Sequence, residues 1–317
     1  EAFIKPGECK KPRYVVQKSV TATLDFAASM AQAARIYRNF EEYATKAEIM
    51  EQAAEAAFLW ALEHPDALYN QFRMNEQFTP AIQTGAYGDF SARDEFFWSS
   101  CELYLTTQKA AYLDKALEYV PEKFTAPTWG NVYGLGVFSL LTHNKATTAM
   151  KEQLIAFCDS VVSLADGAPF ASSYGNSERD FYWGCLSESC CGNAISLLYG
   201  FSQTGNRDYL IQAYHNMDYL LGRNPLGYCY VTGIGSKSPQ NPHHRLADTD
   251  DIPGPLPGFL VGGPNPARQD GCVYLSDLPD ECYLDVVAAY ASNEIAINWN
   301  ATLLHLAIAL NELSPSL

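Results

Sequence analysis

The stretch "SNEIAINWNATLLHLAIAL", residues 292–310, joins one acid and three amides to an apolar run. Glu294 stands among Asn293, Asn298 and Asn300. It is followed by Ile295, Ile297, Trp299, Leu303, Leu304, Leu306, Ile308 and Leu310, which cover nearly every face of a helix. Such a helix is expected to be buried all round. With Ser292 or Asn293 as its cap, Glu294 falls in the first turn, at the mouth of a core helix. Limited water there raises a carboxylic acid's pKa, as a general acid near neutral pH requires. The helix dipole pushes the other way, and an acid that only complements the dipole fits the same residues.

Three further stretches carry chemistry. In "NPHHRLAD", His243 and His244 can donate to ligand hydroxyls, and Arg245 can orient a carboxylate or donate to an oxygen ligand. A plain surface loop is the competing reading. A metal is disfavoured, because consecutive side chains diverge and the nearby Asp248, Asp250 and Asp251 make no zinc spacing. In "CYLDVVAAYASNE", Tyr283, Asp285 and Tyr290 precede Glu294. On one continuous helix Asp285 and Glu294 would face opposite ways, so they share a site only if the chain breaks between them. In "TGAYGDFSARDEFFW", Asp89, Asp94 and Glu95 can hold a hard cation such as calcium, or can simply be first-turn acids of the next helix. Tyr87, Trp129, Tyr174, Tyr182, Trp183 and Tyr228 lie near loop ends. Flat rings suit sugar faces, and equally suit a core.

Helices must position these groups. Residues 15–39 and 41–63 read as an antiparallel pair. Further helical patterns lie near 92–108, 110–120, 131–142, 146–165, 184–204 and 206–222, and the last begins near 292. Leu24, Ala27, Ala28 and Ala31 illustrate the three- and four-residue recurrence. Residues 72–91 and 222–291 break the rhythm. The second, rich in Gly and Pro with interleaved Tyr, Phe, Val and Leu, is a packed functional loop rather than a linker. The pattern predicts an all-α toroid with its site on loops at one end. No fixed repeat supports a solenoid, and there is no Gly-rich dinucleotide loop or P-loop.

The chain has 317 residues and a formal net charge of −15, with no long Lys/Arg run. Nucleic acid and anionic membrane surfaces are therefore poor partners. "EAFIKPGECKKP" is not a signal peptide, and a mature secreted chain or a cytosolic one would look alike here. The apolar run 295–310 is too short and too polar to span a bilayer. The nine cysteines show no zinc-type pairing. Cys272 and Cys282 bracket a short loop and are a candidate disulfide, and the odd count leaves at least one thiol free or paired with another chain.

"YVTGIGSKSPQNPHHR" and "YLDVVAAYASNEIAINWNA" resemble, in the right order, the two signatures of the family 9 glycoside hydrolases, the inverting cellulases. "RYVVQKSVTATLDFAASMAQAARIY", "DYLLGRNPLGYCYVTG" and "PGFLVGGPNP" are also similar to that family. The resemblance covers essentially the whole chain. It implies an (α/α)6 barrel and a secreted endo-β-1,4-glucanase acting on cellulose or a related β-glucan. It assigns Glu294 as the general acid, with His243 and Asp285 beside it in the catalytic group, His243 and Arg245 matching a P-H-x-R element. His244, Tyr290, Trp129, Trp183 and Tyr87 join Arg245 as expected substrate contacts. Asp94 and Glu95 resemble a "DE" pair that binds calcium in many members. Asn131, in "TWGNV", sits where members often have Asp, which would weaken that ion. No cofactor is needed for the chemistry itself.

One departure is large. An inverting glycosidase needs a second carboxylate about 6.5–9.5 Å from the acid. The resemblance puts that base in a D-A-G-D motif ahead of the region that Tyr14 begins, and no such motif occurs in these residues. About nine helical segments appear rather than twelve. The expectation is the C-terminal portion of one catalytic domain, 1–317. Its partner is an N-terminal fragment of the same domain that covers apolar helices such as 15–39, with Cys9 available as a link. The rival is a non-catalytic glucan-binding homologue that lacks the base.

Overall fold

The computed structural model describes residues 4–250 and 252–314, so Asp251 lies outside the described residues. The chain forms two compact units, Arg13–Lys151 and the remainder.

In the first unit, α1 (Val20–Tyr37) and α2 (Ala44–Glu63) form the expected pair. α1 buries Val20, Leu24, Ala27, Ala28, Ala31 and Ala34, so the predicted recurrence is its packing face. α1 starts five residues later than expected at 15. The Ser19 hydroxyl accepts from the Ala22 amide, and Val15 ahead of it is 99% exposed. The alanines let the backbones approach, and Phe58 of α2 fills the remaining space with Leu103 and Phe96. Burying each of these large side chains stabilises the unit by about 2 kcal/mol.

α3 (Gln71–Gln77), capped by Asn70, is a short helix inside the 72–91 break that periodicity did not reveal. α4 (Arg93–Thr107) packs against α1, α5 (Ala110–Leu117) and α6 (Tyr133–Thr142). Glu102 of α4 has no exposed surface. It accepts from Arg35 at 2.7 Å and from Trp98 at 3.2 Å, with Ser139 as a third donor. A buried carboxylate survives only with such partners.

α7 (Thr148–Ser163) leads into the second unit. There a π-helical segment, Leu186–Cys191, opens into α8 (Gly192–Thr204), which packs on α9 (Arg207–Leu220). Next comes the long irregular stretch, whose only helical turn among the described residues is Pro279–Glu281. It is packed, as expected. Asn224 donates to the Tyr219 and Tyr228 carbonyls, and the buried Thr232 donates to the Leu256 carbonyl at 2.6 Å. Tyr174 and Tyr228 are buried core residues, not rings at a rim.

The predicted helix from 292 is two: α10 (Tyr290–Asn293) and α11 (Ile297–Leu313). α11 is not buried all round. Trp299, Leu303, Leu306 and Leu310 form its buried face, while Ile297 is 91% and Leu304 61% exposed. All nine cysteines are free thiols. Cys272 and Cys282 do not pair, because the Cys282 thiol points at the Ser276 carbonyl and accepts from Arg268. No described helix is long and apolar enough to cross a membrane.

Candidate active site

Glu294 is not in a first helical turn. It is the extended residue (φ −73°, ψ 154°) that ends α10, and Ala296 caps α11. The reason is non-local. Glu294 bridges in parallel to His243, and Ile295 bridges antiparallel to Val261. Four consecutive carbonyls ahead of α11 each accept from a different donor outside their own segment. Ala291 accepts from Asn265 Nδ2 at 2.8 Å, Ser292 from Gly263 N at 2.9 Å, Asn293 from His243 N at 2.8 Å and Glu294 from Gly262 N at 3.0 Å. This cradle holds the backbone that presents the acid, and the opposing dipole of a long helix drops out of the argument.

The three amides of the opening stretch divide the work. Asn293 is fully buried. Its Oδ1 accepts from Tyr283, and its Nδ2 donates to the Asn241 carbonyl at 2.8 Å and to Asp285 at 3.2 Å. Asn300 accepts from Leu260 N at 2.9 Å and so ties α11 to the 260s loop. Asn298 is exposed.

No continuous helix joins Asp285 to Glu294, so the condition for a shared site is met. Asp285 reaches it through other residues: its oxygens accept from Tyr228, from the Gln240 and Asn241 amides at 2.8 Å, and from Asn293. It holds the 240s loop against the segment that carries the acid.

The carboxyl of Glu294 is half-buried, and Oε2 accepts from Trp183 Nε1 at 3.1 Å. Burial pushes its pKa up. The Trp183 hydrogen bond and the charges of His243 and Arg245 pull it partly back. His243 Nδ1 donates to the Val287 carbonyl at 2.6 Å, which leaves Nε2 for a ligand. Its ring meets Tyr290, and Tyr290 meets Trp183 with centroids 5.5 Å apart. His244 turns away from His243 and packs on Phe259. Arg245 is exposed, yet near enough for its charge to act on Glu294.

Glycines make the fit possible. A Cβ on Gly184 (φ +84°) would sit 2.8 Å from the Trp299 ring, and one on Gly263 (φ +96°) 2.4 Å from Leu186. Asn265 and Asp270 escaped the sequence reading. Asp270 accepts from Ala291 N at 3.0 Å and from Tyr274, so with Asn265 it holds both backbone groups of Ala291. The "GGPNP" run is a signal for Asn265, and nothing in the sequence marks Asp270.

The remaining predicted residues belong to the first unit. Tyr87 and Trp129 are exposed, with ring centroids 6.1 Å apart. Asp94 and Glu95 do open α4. Asp94 accepts from Val132 N at 2.8 Å, and Asn131 Oδ1 accepts from Tyr133 N at 3.3 Å. Glu95 is 4% exposed, and its Oε2 is buried without a partner. Burial first, then Asp94, raises its pKa to about 9. Asp25, not singled out from the sequence, is raised to about 6, chiefly by burial and then by the charges of Asp94 and Asp89. Among the described residues no set of three or more His, Cys, Asp or Glu side chains has metal-holding geometry. Two adjacent carboxylates, one with an orphaned buried oxygen, beside an amide oxygen nevertheless fit a hard cation.

Residues 2–307 match the family model described as Glycosyl hydrolase family 9. The chain belongs to glycosyl hydrolase family 9. It is 50% identical over 323 residues to a xyloglucan-specific endo-beta-1,4-glucanase of Bacteroides ovatus, covering 99% of this chain and 55% of that relative. A solved Bacteroides ovatus GH9 structure superposes with a TM-score of 0.93 at 50% identity, over 99% of this chain and 57% of that one. The crystal structure of the family 9 endoglucanase J30 gives 0.87 at 30% identity, over 98% and 58%. The chain shares the all-α, (α/α)6 barrel fold class of these neighbours. It spans little more than half the length of each.

Proposed function

We propose that this family 9 chain is the C-terminal part of a catalytic domain that hydrolyses β-1,4-glucosidic bonds with inversion, and that Glu294 is its proton donor. The observation that carries this is the Glu294 carboxyl: half-buried, pushed towards its protonated form, bonded to Trp183, and presented by a backbone whose four carbonyls are each held. Glu294 gives its proton to the glycosidic oxygen as the C–O bond breaks. A water attacks the anomeric carbon from the opposite face and loses its proton to an aspartate in the N-terminal part of the same domain. That part is the obligate partner and supplies the remaining helices. His243 Nε2 and Arg245 meet substrate hydroxyls. His244, Tyr290 and Trp183 offer further polar and flat contacts, and the exposed Tyr87 and Trp129 of the first unit are flat rings able to meet a sugar.

The substrate is a β-1,4-glucan. The printed specificity of the Bacteroides ovatus relative makes xyloglucan the first to test, ahead of cellulose and mixed-linkage glucan. Polymers of this size cannot enter a cell, so the enzyme works outside it. Asp94, Glu95 and Asn131 hold a structural calcium, which neutralises the two carboxylates and takes no part in bond cleavage.

The test uses the polypeptide with its N-terminal part. Glu294→Gln should abolish reducing-sugar release from soluble xyloglucan and carboxymethyl cellulose while oligosaccharide binding persists. Near-normal turnover by the variant would reject the acid assignment. Binding without turnover by the unsubstituted protein would favour the non-catalytic rival.

A further inference from the structure

Trp183 reads from sequence as one more flat ring for a sugar, and its ring does meet Tyr290. Its nitrogen has a separate use. Nε1 donates to Oε2 of Glu294 at 3.1 Å, whereas Oε1 meets no protein donor among the described residues. We propose that Trp183 is a positioning residue for the proton donor: its indole N–H claims Oε2 and so keeps the acidic proton of Glu294 on Oε1. This rests on the reading of Glu294 as the acid.

The chemistry follows from what an indole can do. Its N–H donates and accepts nothing. In a protonated carboxyl one oxygen is a carbonyl and the other a hydroxyl, and the carbonyl is the better acceptor. With the indole at Oε2, the hydroxyl is therefore Oε1, the oxygen open to a ligand. During transfer the Oε1–H bond breaks as an O–H bond forms on the glycosidic oxygen. The electron pair stays on the carboxylate, and half of the new negative charge arrives at Oε2, already facing the N–H. The hydrogen bond thus strengthens as the reaction proceeds, which is the condition for it to aid catalysis.

Local packing fixes the indole. Gly184, at φ +84°, lies against the Trp299 ring and turns the chain directly after Trp183, while Tyr290 covers the ring. The charged groups that face Glu294 are His243 and Arg245. The Val261–Gly262 segment brings only backbone to it.

The test replaces Trp183 by β-(3-benzothienyl)alanine, which keeps ring size and shape but has no N–H, with Trp183→Phe as a second variant. The readout is the pH profile of kcat/KM, with kcat and KM separated, in the polypeptide carrying its N-terminal part. The alkaline limb should move up by about one pH unit. At the plateau kcat should fall roughly three- to tenfold, with KM changed less than about twofold. If the ring serves only as a sugar platform, the benzothienyl variant keeps the wild-type constants and alkaline limb, and Trp183→Phe raises KM with the limb in place; that result overturns the proposal. Glu294→Gln in parallel separates the two ideas. If it retains turnover, the acid reading fails. If it is inactive while the alkaline limb of the Trp183 variants is unmoved, only the role of Trp183 fails.

Discussion

The side-chain amide of Asn293 donates to Asp285 at 3.2 Å, so the residue just before the acid is tied to the carboxylate that anchors the 240s loop. Asn293 also serves Tyr283 and Asn241 and has no exposed surface. Asn293→Ala removes three hydrogen bonds, one of them to the buried Tyr283, and should cost about 2–4 kcal/mol, read as a lowered Tm. Asp285→Ala should lower kcat more than it raises KM, because it loosens the acid without touching substrate. An Asp285→Ala enzyme with wild-type kcat would show that this anchor is dispensable.

The raised pKa of Glu294 sets a pH dependence with a definite sign. The folded protein holds this proton at pH values where the unfolded chain has lost it. Between the unfolded value, about 4.3, and the higher folded one, stability falls as pH rises. Glu294→Gln removes that cost. The variant should be less active yet melt higher than wild type at pH 8, and the gap should close by pH 4. Equal melting temperatures across this range would contradict the burial-driven shift.

Arg245 opposes the shift through its charge. Arg245→Gln should move the alkaline limb of kcat/KM upward, by less than about one pH unit because the guanidinium is exposed. The measurement is the limb position at low and at high salt; the difference from wild type should shrink as salt screens the charge.

Gly263 tests the cradle sterically. Gly263→Ala demands a Cβ 2.4 Å from Leu186 at φ +96°. The strain and clash together should cost about 2–4 kcal/mol and reduce turnover, since Gly263 N holds the Ser292 carbonyl. Thermal melts of the purified variant check the first figure.

Calcium should raise Tm and a chelator should lower it. Asn131→Asp adds a charged ligand beside Asp94 and Glu95. It should tighten calcium binding roughly tenfold, while calcium-free Tm falls through added repulsion. A Tm that ignores calcium in both proteins would remove these residues from consideration as a cation site.

The sequence revealed the packing of the helices better than the position of the acid. Leu24, Ala27, Ala28 and Ala31 report their helix because a core face repeats along the chain itself. The sequence puts Glu294 in a first helical turn because Ser292 or Asn293 can cap the apolar run that follows. What overrides that pattern is pairing with His243 and Val261, residues distant in sequence, which periodicity cannot register. Asn265 and Asp270 went unseen for the same reason: each acts on the backbone of Ala291, which leaves no trace in that residue's identity. The family resemblance singles out Glu294, His243 and Arg245 by matching position. The exposed face of α11 and the burial of Tyr174 needed coordinates.

The cradle around residues 291–294 also bears on how this enzyme can diversify. Its donors come from the 240s loop and from the Gly262–Asn265 turn, so neither is a free cassette. A loop graft meant to retune glucan preference must bring amides at the matching heights, or the acid tilts out of line even though no substrate-touching side chain was altered. Variation is cheapest at Leu246 and Ile252, between the cradle donors His243 and Gly262, where side chains are exposed.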